Sequence, residues 1–140
     1  MNKSVMIVGV GGQGTLLASR ILGDAMMSQG FDVKVSEVHG MSQRGGSVVT
    51  YVRYGDKVYS PIIETGEADI LLSFEQLEAA RFLPYLKEGG TVVTSTQQID
   101  PMPVVTGEKE YPQGLLSEMG EKGVDVLAVD ALKLAEEAGS

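Results

Sequence analysis

The chain has 140 residues, enough for one domain with a sizeable core and too few for two comfortable ones. With 43% hydrophobic and 21% charged residues it is composed like a folded globular protein, and its formal net charge of −8 works against a nucleic-acid or anionic-membrane partner. It contains no cysteine, which excludes disulfides, cysteine-ligated iron–sulfur clusters and a thiol nucleophile. The N-terminus runs straight into a glycine segment with no room for a signal-peptide apolar region, and no run approaches ~18 apolar residues. A cytoplasmic protein is expected.

The four apolar residues Val5 to Val8 read as a buried strand. Gly9, Gly11 and Gly14 then fall at the G-x-G-x-x-G spacing, with Gly12 and Gln13 inside the turn. Leu17, Ala18, Ile21, Leu22 and Ala25 follow with helical period. Strand, glycine turn and helix together suit an anion, because the unpaired N–H groups of a helix start point at it and glycine lets it come close. The same glycines also serve a tight turn and close helix–strand packing, and both readings stand.

Gly30 stops the helix, and Phe31 to Val38 alternates as a second strand, completing a βαβ unit that crosses into a parallel sheet. In a dinucleotide domain an acidic residue near the end of this strand holds the ribose hydroxyls. Glu37 is the candidate, and a salt-bridged strand end is its equally ordinary alternative. The stretch Ser47 to Tyr54, then Gly55-Asp56, then Lys57 to Ser60, reads as a hairpin, which predicts a mixed sheet and departs from a regular doubly wound domain.

Asp69 to Phe74 is a further buried strand, and Ser73 with Gln76 fits a capping box opening a helix from Glu75 to Leu83. Pro84 and Gly89-Gly90 close that helix, and Gly90 to Ser95 is the next strand. Gln97 to Gly107 reads as an extended connection, Pro112 to Glu121 as a helix, Val124 to Val129 as a strand, and a last helix carries Ala131, Leu134, Ala135 and Ala138 on one face. The fold class expected is α/β, a Rossmann-like three-layer sandwich on a mainly parallel, mixed sheet with a β-hairpin insertion. Its carboxyl edge should gather the Gly11–Gly14 turn, the loop from His39 to Gly46, Ser73 and Ser95.

That loop, His39-Gly40-Met41-Ser42-Gln43-Arg44-Gly45-Gly46, is far more distinctive than a routine strand–helix turn. His39 is the single histidine, so a zinc set cannot be completed around it, and a hydrogen-bonded loop histidine outweighs a proton-transfer role. Ser42 has no base and orienting partner, which leaves a hydrolase triad without support. Met41 suits an adaptable partner surface. Arg44, beside Gly45-Gly46, pairs a guanidinium with uncovered backbone and is suited to hold a carboxylate or phosphate in bidentate fashion, against an exposed salt-bridged arginine as the plain alternative.

Gly-Val-Gly-Gly-Gln-Gly at 9–14 followed by Glu-Val-His-Gly-Met-Ser-Gln-Arg-Gly-Gly-Ser at 37–47 resembles the gamma-type domain of the 2-oxoacid:ferredoxin oxidoreductases, and within it the small beta subunit of the indolepyruvate enzymes. The resemblance covers nearly the whole chain. It implies a single gamma-type domain over 1–140 in an oxygen-sensitive enzyme that decarboxylates an aryl 2-oxoacid with coenzyme A, giving acyl-CoA, carbon dioxide and reduced ferredoxin. It further implies that thiamine diphosphate, Mg2+ and the iron–sulfur clusters sit in a large partner subunit, that this chain holds no cofactor alone, and that it meets ferredoxin through the complex. The glycine turn and the 39–46 loop become candidates for an active-site cleft, with no catalytic residue and no metal ligand carried over. Family members usually continue past Ser140, so a truncated or short form of the domain is expected. A free-standing dinucleotide-binding oxidoreductase and a non-enzymatic docking module are the alternatives.

Overall fold

The computed structural model of the chain describes residues 2–11, 13–39 and 47–130, without the side chains of His39 and Met102. Six strands form one sheet in the order β2-β3-β1-β4-β5-β6. They are β1 (Lys3–Val10), β2 (Asp32–His39), β3 (Ser47–Gly55), β4 (Ala68–Ser73), β5 (Leu86–Ser95) and β6 (Asp125–Val129). The helices are α1 (Thr15–Ser28), α2 (Gln76–Arg81), α3 (Met102–Val105) and α4 (Leu115–Glu121), with a 3-10 turn at Leu83–Tyr85. The strands β1, β4, β5 and β6 run parallel, whereas β3 pairs antiparallel with both β1 and β2. The α/β class and the mixed sheet are as the sequence predicts.

The middle of β1 is apolar without alternation because both of its faces are covered, the usual state of a central strand in such a sheet. Met6, Ile7 and Val8 are wholly buried. Val5 and Ile7 join Val52 in a cluster with Ala18 and Leu22 of α1 on one face. Met6 and Val8 join Leu71, Val92, Ala79 of α2 and Met119 of α4 on the other, so the three layers share one central strand.

Four expectations differ in detail. The antiparallel strand lies where the sequence places it, but Lys57 to Ser60 forms no strand, and the partners of β3 are β1 and β2. The carboxylate of Asp32 accepts from the Val58 N–H at 2.8 Å, which draws that segment toward the start of β2 rather than along β3. The capping box is replaced by Glu75, whose own side chain accepts from the Glu78 N–H at 2.9 Å, while Ser73 Oγ donates to the Glu75 carbonyl. Gly89-Gly90 lies inside β5, where the pairing with β4 jumps from Ala68↔Leu86 to Ile70↔Thr91. A Cβ on Gly90 would sit 2.9 Å from the Asp69 carbonyl oxygen, so the bulge needs glycine there. Finally, α3 interrupts the connection expected to be extended. The helix expected over 131–138 lies outside the described residues.

Thr50 lies opposite Ile7 on β3, is fully buried, and its Oγ1 has no hydrogen-bond partner among the described residues. A hydroxyl desolvated without a partner costs about 1–3 kcal/mol, and valine has nearly its shape without that burden. Thr50→Val is therefore expected to raise the melting temperature by a few degrees in a thermal denaturation series. A fall would mean that the hydroxyl is paired in solution.

Candidate functional site

In an open α/β sheet the natural crevice lies outside the carboxyl ends of the strands, where successive helices leave for opposite faces. Here α1 follows β1 and packs on β2 and β3, while α2 follows β4 and packs on the other side with α4. The switch point is therefore between β1 and β4. The Phe74 N–H donates to the Val8 carbonyl at 3.0 Å and closes the two strand ends together.

The glycine turn sits at that point. Gly14 takes the left-handed conformation, φ 85°, as the residue before α1, and no side chain among the described residues caps the helix start. Gln13 N–H donates to the Val10 carbonyl at 3.2 Å. The Gln13 side chain folds back across the crevice, with Oε1 accepting from the Val10 N–H at 2.7 Å and Nε2 donating to the Phe74 carbonyl at 2.9 Å. Of the residues singled out from sequence, Gly9, Gly11, Gln13 and Gly14 are thus brought together at the switch point. Gly12, Gly40, Met41, Ser42, Gln43, Arg44, Gly45 and Gly46 lie outside the described residues, and of His39 only the strand position, paired with Val48, is described.

Glu37 is displaced from the ribose position by a simple cause. The inserted β3 separates β2 from β1, and each strand spacing is about 4.8 Å, so Glu37 stands two spacings away where a dinucleotide domain needs one.

A carboxylate network that the sequence hid lies behind this edge. Glu75, 1% exposed, accepts from the Glu78 N–H through Oε1 and from the Ile99 N–H at 2.9 Å through Oε2, which also takes the Tyr111 hydroxyl. The Tyr111 oxygen in turn accepts from the Leu77 N–H at 3.0 Å. Burial and the Glu75 carboxylate both push the Tyr111 hydroxyl far above its ordinary range, so it stays a donor. One buried acid thus caps α2 and pins the connection after β5 to it. Its signal in sequence was only a glutamate after a strand.

Beside it, Ser47 Oγ donates to the Glu78 carboxylate at 2.8 Å and accepts from Arg81 at 2.8 Å. Ser47 opens β3, so α2 fixes the start of that strand. Burial holds the Glu78 carboxyl above the usual carboxylate range; the Ser47 hydroxyl and Arg81 oppose that rise, and Glu75 adds to it. Other concavities are remote from the switch point. One opens at the amino ends of β5 and β6 around Leu86, Gly90, Lys122 and Asp125, another beside Tyr51 and Tyr85.

This is the fold of a gamma-type oxidoreductase subunit. It superposes on the pyruvate oxidoreductase subunit PORC of Thermotoga maritima with a TM-score of 0.66 at 19% identity, covering 97% of this chain and 66% of that one. The gamma subunit of a keto/oxoacid ferredoxin oxidoreductase from Geobacter sulfurreducens gives 0.59 at 23% identity, covering 91% of this chain and 61% of that one. Residues 4–140 match the family model for pyruvate ferredoxin/flavodoxin oxidoreductase, and the chain belongs to that family. It is 48% identical to the indolepyruvate oxidoreductase subunit IorB of Thermococcus kodakarensis and 49% to that of Pyrococcus horikoshii, in each case over 98% of this chain and 69% of the relative. Among the described residues no helix is long and apolar enough to cross a membrane.

The Glu78 environment has a pH signature. A carboxyl whose folded pKa is raised above the unfolded 4.5 contributes most stability when protonated in both states, and that contribution declines as pH rises through the folded value. Glu78→Gln is neutral throughout, so its stability relative to the wild type should improve as pH rises from about 4 toward 7. Urea denaturation of both proteins across that range measures it. A difference that stays flat would show that Glu78 titrates normally.

Proposed function

We propose that the chain is the small subunit of a thiamine-diphosphate-dependent indolepyruvate:ferredoxin oxidoreductase, supporting oxidative decarboxylation of an aryl 2-oxoacid with coenzyme A to acyl-CoA, carbon dioxide and reduced ferredoxin. The observation that carries this reading is the 48% to 49% identity to two IorB subunits over 98% of the chain. Thiamine diphosphate, Mg2+ and the iron–sulfur clusters are assigned to a large partner subunit. This chain has no cysteine to ligate an iron–sulfur cluster, and its described residues gather no group of three His, Asp or Glu for a metal. Coenzyme A enters as co-substrate and ferredoxin meets the assembled complex, in the cytoplasm, without a nucleic-acid or membrane partner.

Within this reading the chain supplies a rigid carboxyl edge to a shared cleft. Gly9–Gly14 and the His39–Gly46 segment face that cleft, and Arg44 is the group suited to hold a substrate carboxylate or a cofactor phosphate through its planar fork. The test is anaerobic co-expression with the large subunit and assay of indolepyruvate-dependent ferredoxin reduction. The isolated chain is expected to be inactive and the complex to survive gel filtration. Separate elution at micromolar concentration would defeat the subunit reading. Arg44→Lys and Arg44→Ala should both assemble and lose about 10- to 150-fold in catalytic efficiency, Ala more, as expected for one charge-assisted hydrogen bond. An assembled Arg44→Ala complex at wild-type efficiency would leave Arg44 a surface charge.

The dinucleotide-binding alternative rests on the glycine spacing after β1. The displaced Glu37 and the filled turn both count against it. Millimolar NAD should leave the melting temperature of the isolated chain unmoved, whereas a ligand at ~100 times its dissociation constant would stabilise by about 2.7 kcal/mol, an easily read shift. Such a shift would favour the alternative.

A further inference from the structure

Gln13 lies across the switch point with both ends of its carboxamide engaged. Oε1 accepts from the N–H of Val10, the last residue of β1, and Nε2 donates to the carbonyl of Phe74, the residue after β4. A third contact, Nε2 to Gln97 Oε1 at 3.5 Å, is too long to add much. Gly9 shows what the turn is shaped around. A Cβ there would meet Gln13 Oε1 and Thr15 Cγ2, each at 3.0 Å. In a dinucleotide fold the first glycine of such a turn serves its tightness and the second admits the pyrophosphate. At Gly9, the first, the close neighbour is the chain's own glutamine.

The chemistry of the crevice explains the choice of occupant. The groups that Gln13 answers there are one backbone N–H, from Val10, and one backbone carbonyl, from Phe74. A carboxamide answers both, since it accepts through oxygen and donates through nitrogen. An ionised phosphate or carboxylate accepts only, so it would set negative charge against the Phe74 carbonyl oxygen and leave that oxygen without a donor. We propose that the crevice between β1 and β4 is a carboxamide-selective notch, and that Gln13, filling it in cis, is the residue that makes this domain reject anionic and dinucleotide ligands there. The proposal is independent of the reaction assigned above.

Gln13→Ala empties the notch and leaves both backbone groups unpaired, so the melting temperature of the isolated chain should fall by several degrees. Acetamide should restore part of that loss in the variant, beyond its effect on the wild type, and acetate and inorganic pyrophosphate should not. Protection of the variant by acetate or pyrophosphate as strong as that by acetamide would overturn the proposal, because the vacated crevice would then be an anion site. Indifference to all three would overturn it equally. Gln13→Glu keeps the shape and supplies a second measurement if the alanine variant does not fold. At about pH 8, where an ordinary glutamate is ionised, it should melt below the wild type. Wild-type stability of Gln13→Glu under that condition would also overturn the proposal.

Discussion

The pairing of β3 against β1 is the constraint on which the rest of the molecule depends. Eight residues of β1 from Lys3 to Val10 face Tyr54 to Ser47 in continuous antiparallel register. This occupies the edge of β1 where a doubly wound dinucleotide domain would have its second strand. The insertion makes the sheet mixed, carries β2 and Glu37 outward, and brings Ser47 level with Val10 beside the glycine turn. Site geometry that would suit a ribose is thereby exchanged for one in which β2 ends and β3 begins at the same sheet edge as the glycine turn.

A second level of order comes from side chains that substitute for backbone partners. Gln13 answers one N–H and one carbonyl at the switch point. Glu75 answers two N–H groups and holds a tyrosine that answers a third. Such groups are costly when buried alone and strongly specifying when every bond is made. The two residues lie on neighbouring segments of the carboxyl edge, so the shape of that edge is maintained by polar bonds as much as by the apolar clusters beneath it.

Much of this was readable in one dimension. The strands ending at Val10, Ser73 and Ser95 announce themselves as apolar or β-branched runs, because a strand buried on both faces has no alternation to hide. The turn at Gly9–Gly14 is legible for a similar reason, since its glycines are local requirements. The mate of β3 was not legible. Gly55-Asp56 is a good local turn signal, and only the contact of Asp32 with Val58, 26 residues apart, shows why the following segment leaves the sheet. The roles of Glu75 and Gln13 in tying distant segments together were hidden by the same kind of distance. Tyr111 is 36 residues from Glu75, and Phe74 is 61 from Gln13. The loop around Arg44 was distinctive as a motif, but a motif states which residues travel together and not where they stand.

The order of strands also has a consequence for synthesis. Once the ribosome has released residues up to Gly55, the antiparallel trio β2-β3-β1 and α1 are all present and can close the face built on Val5, Ile7 and Val52. The opposite face, with Met6, Val8 and Val49, finds its cover only in β4, α2 and α4, the last of which ends at Glu121. A nascent chain of this protein therefore carries a half-built sheet with one side largely covered and one wet side through nearly half of its translation. Exposed apolar surface of that kind is where chaperones bind and aggregation starts. The central position of β1, which gives the finished domain its shared core, is also what leaves the growing chain unprotected for longest.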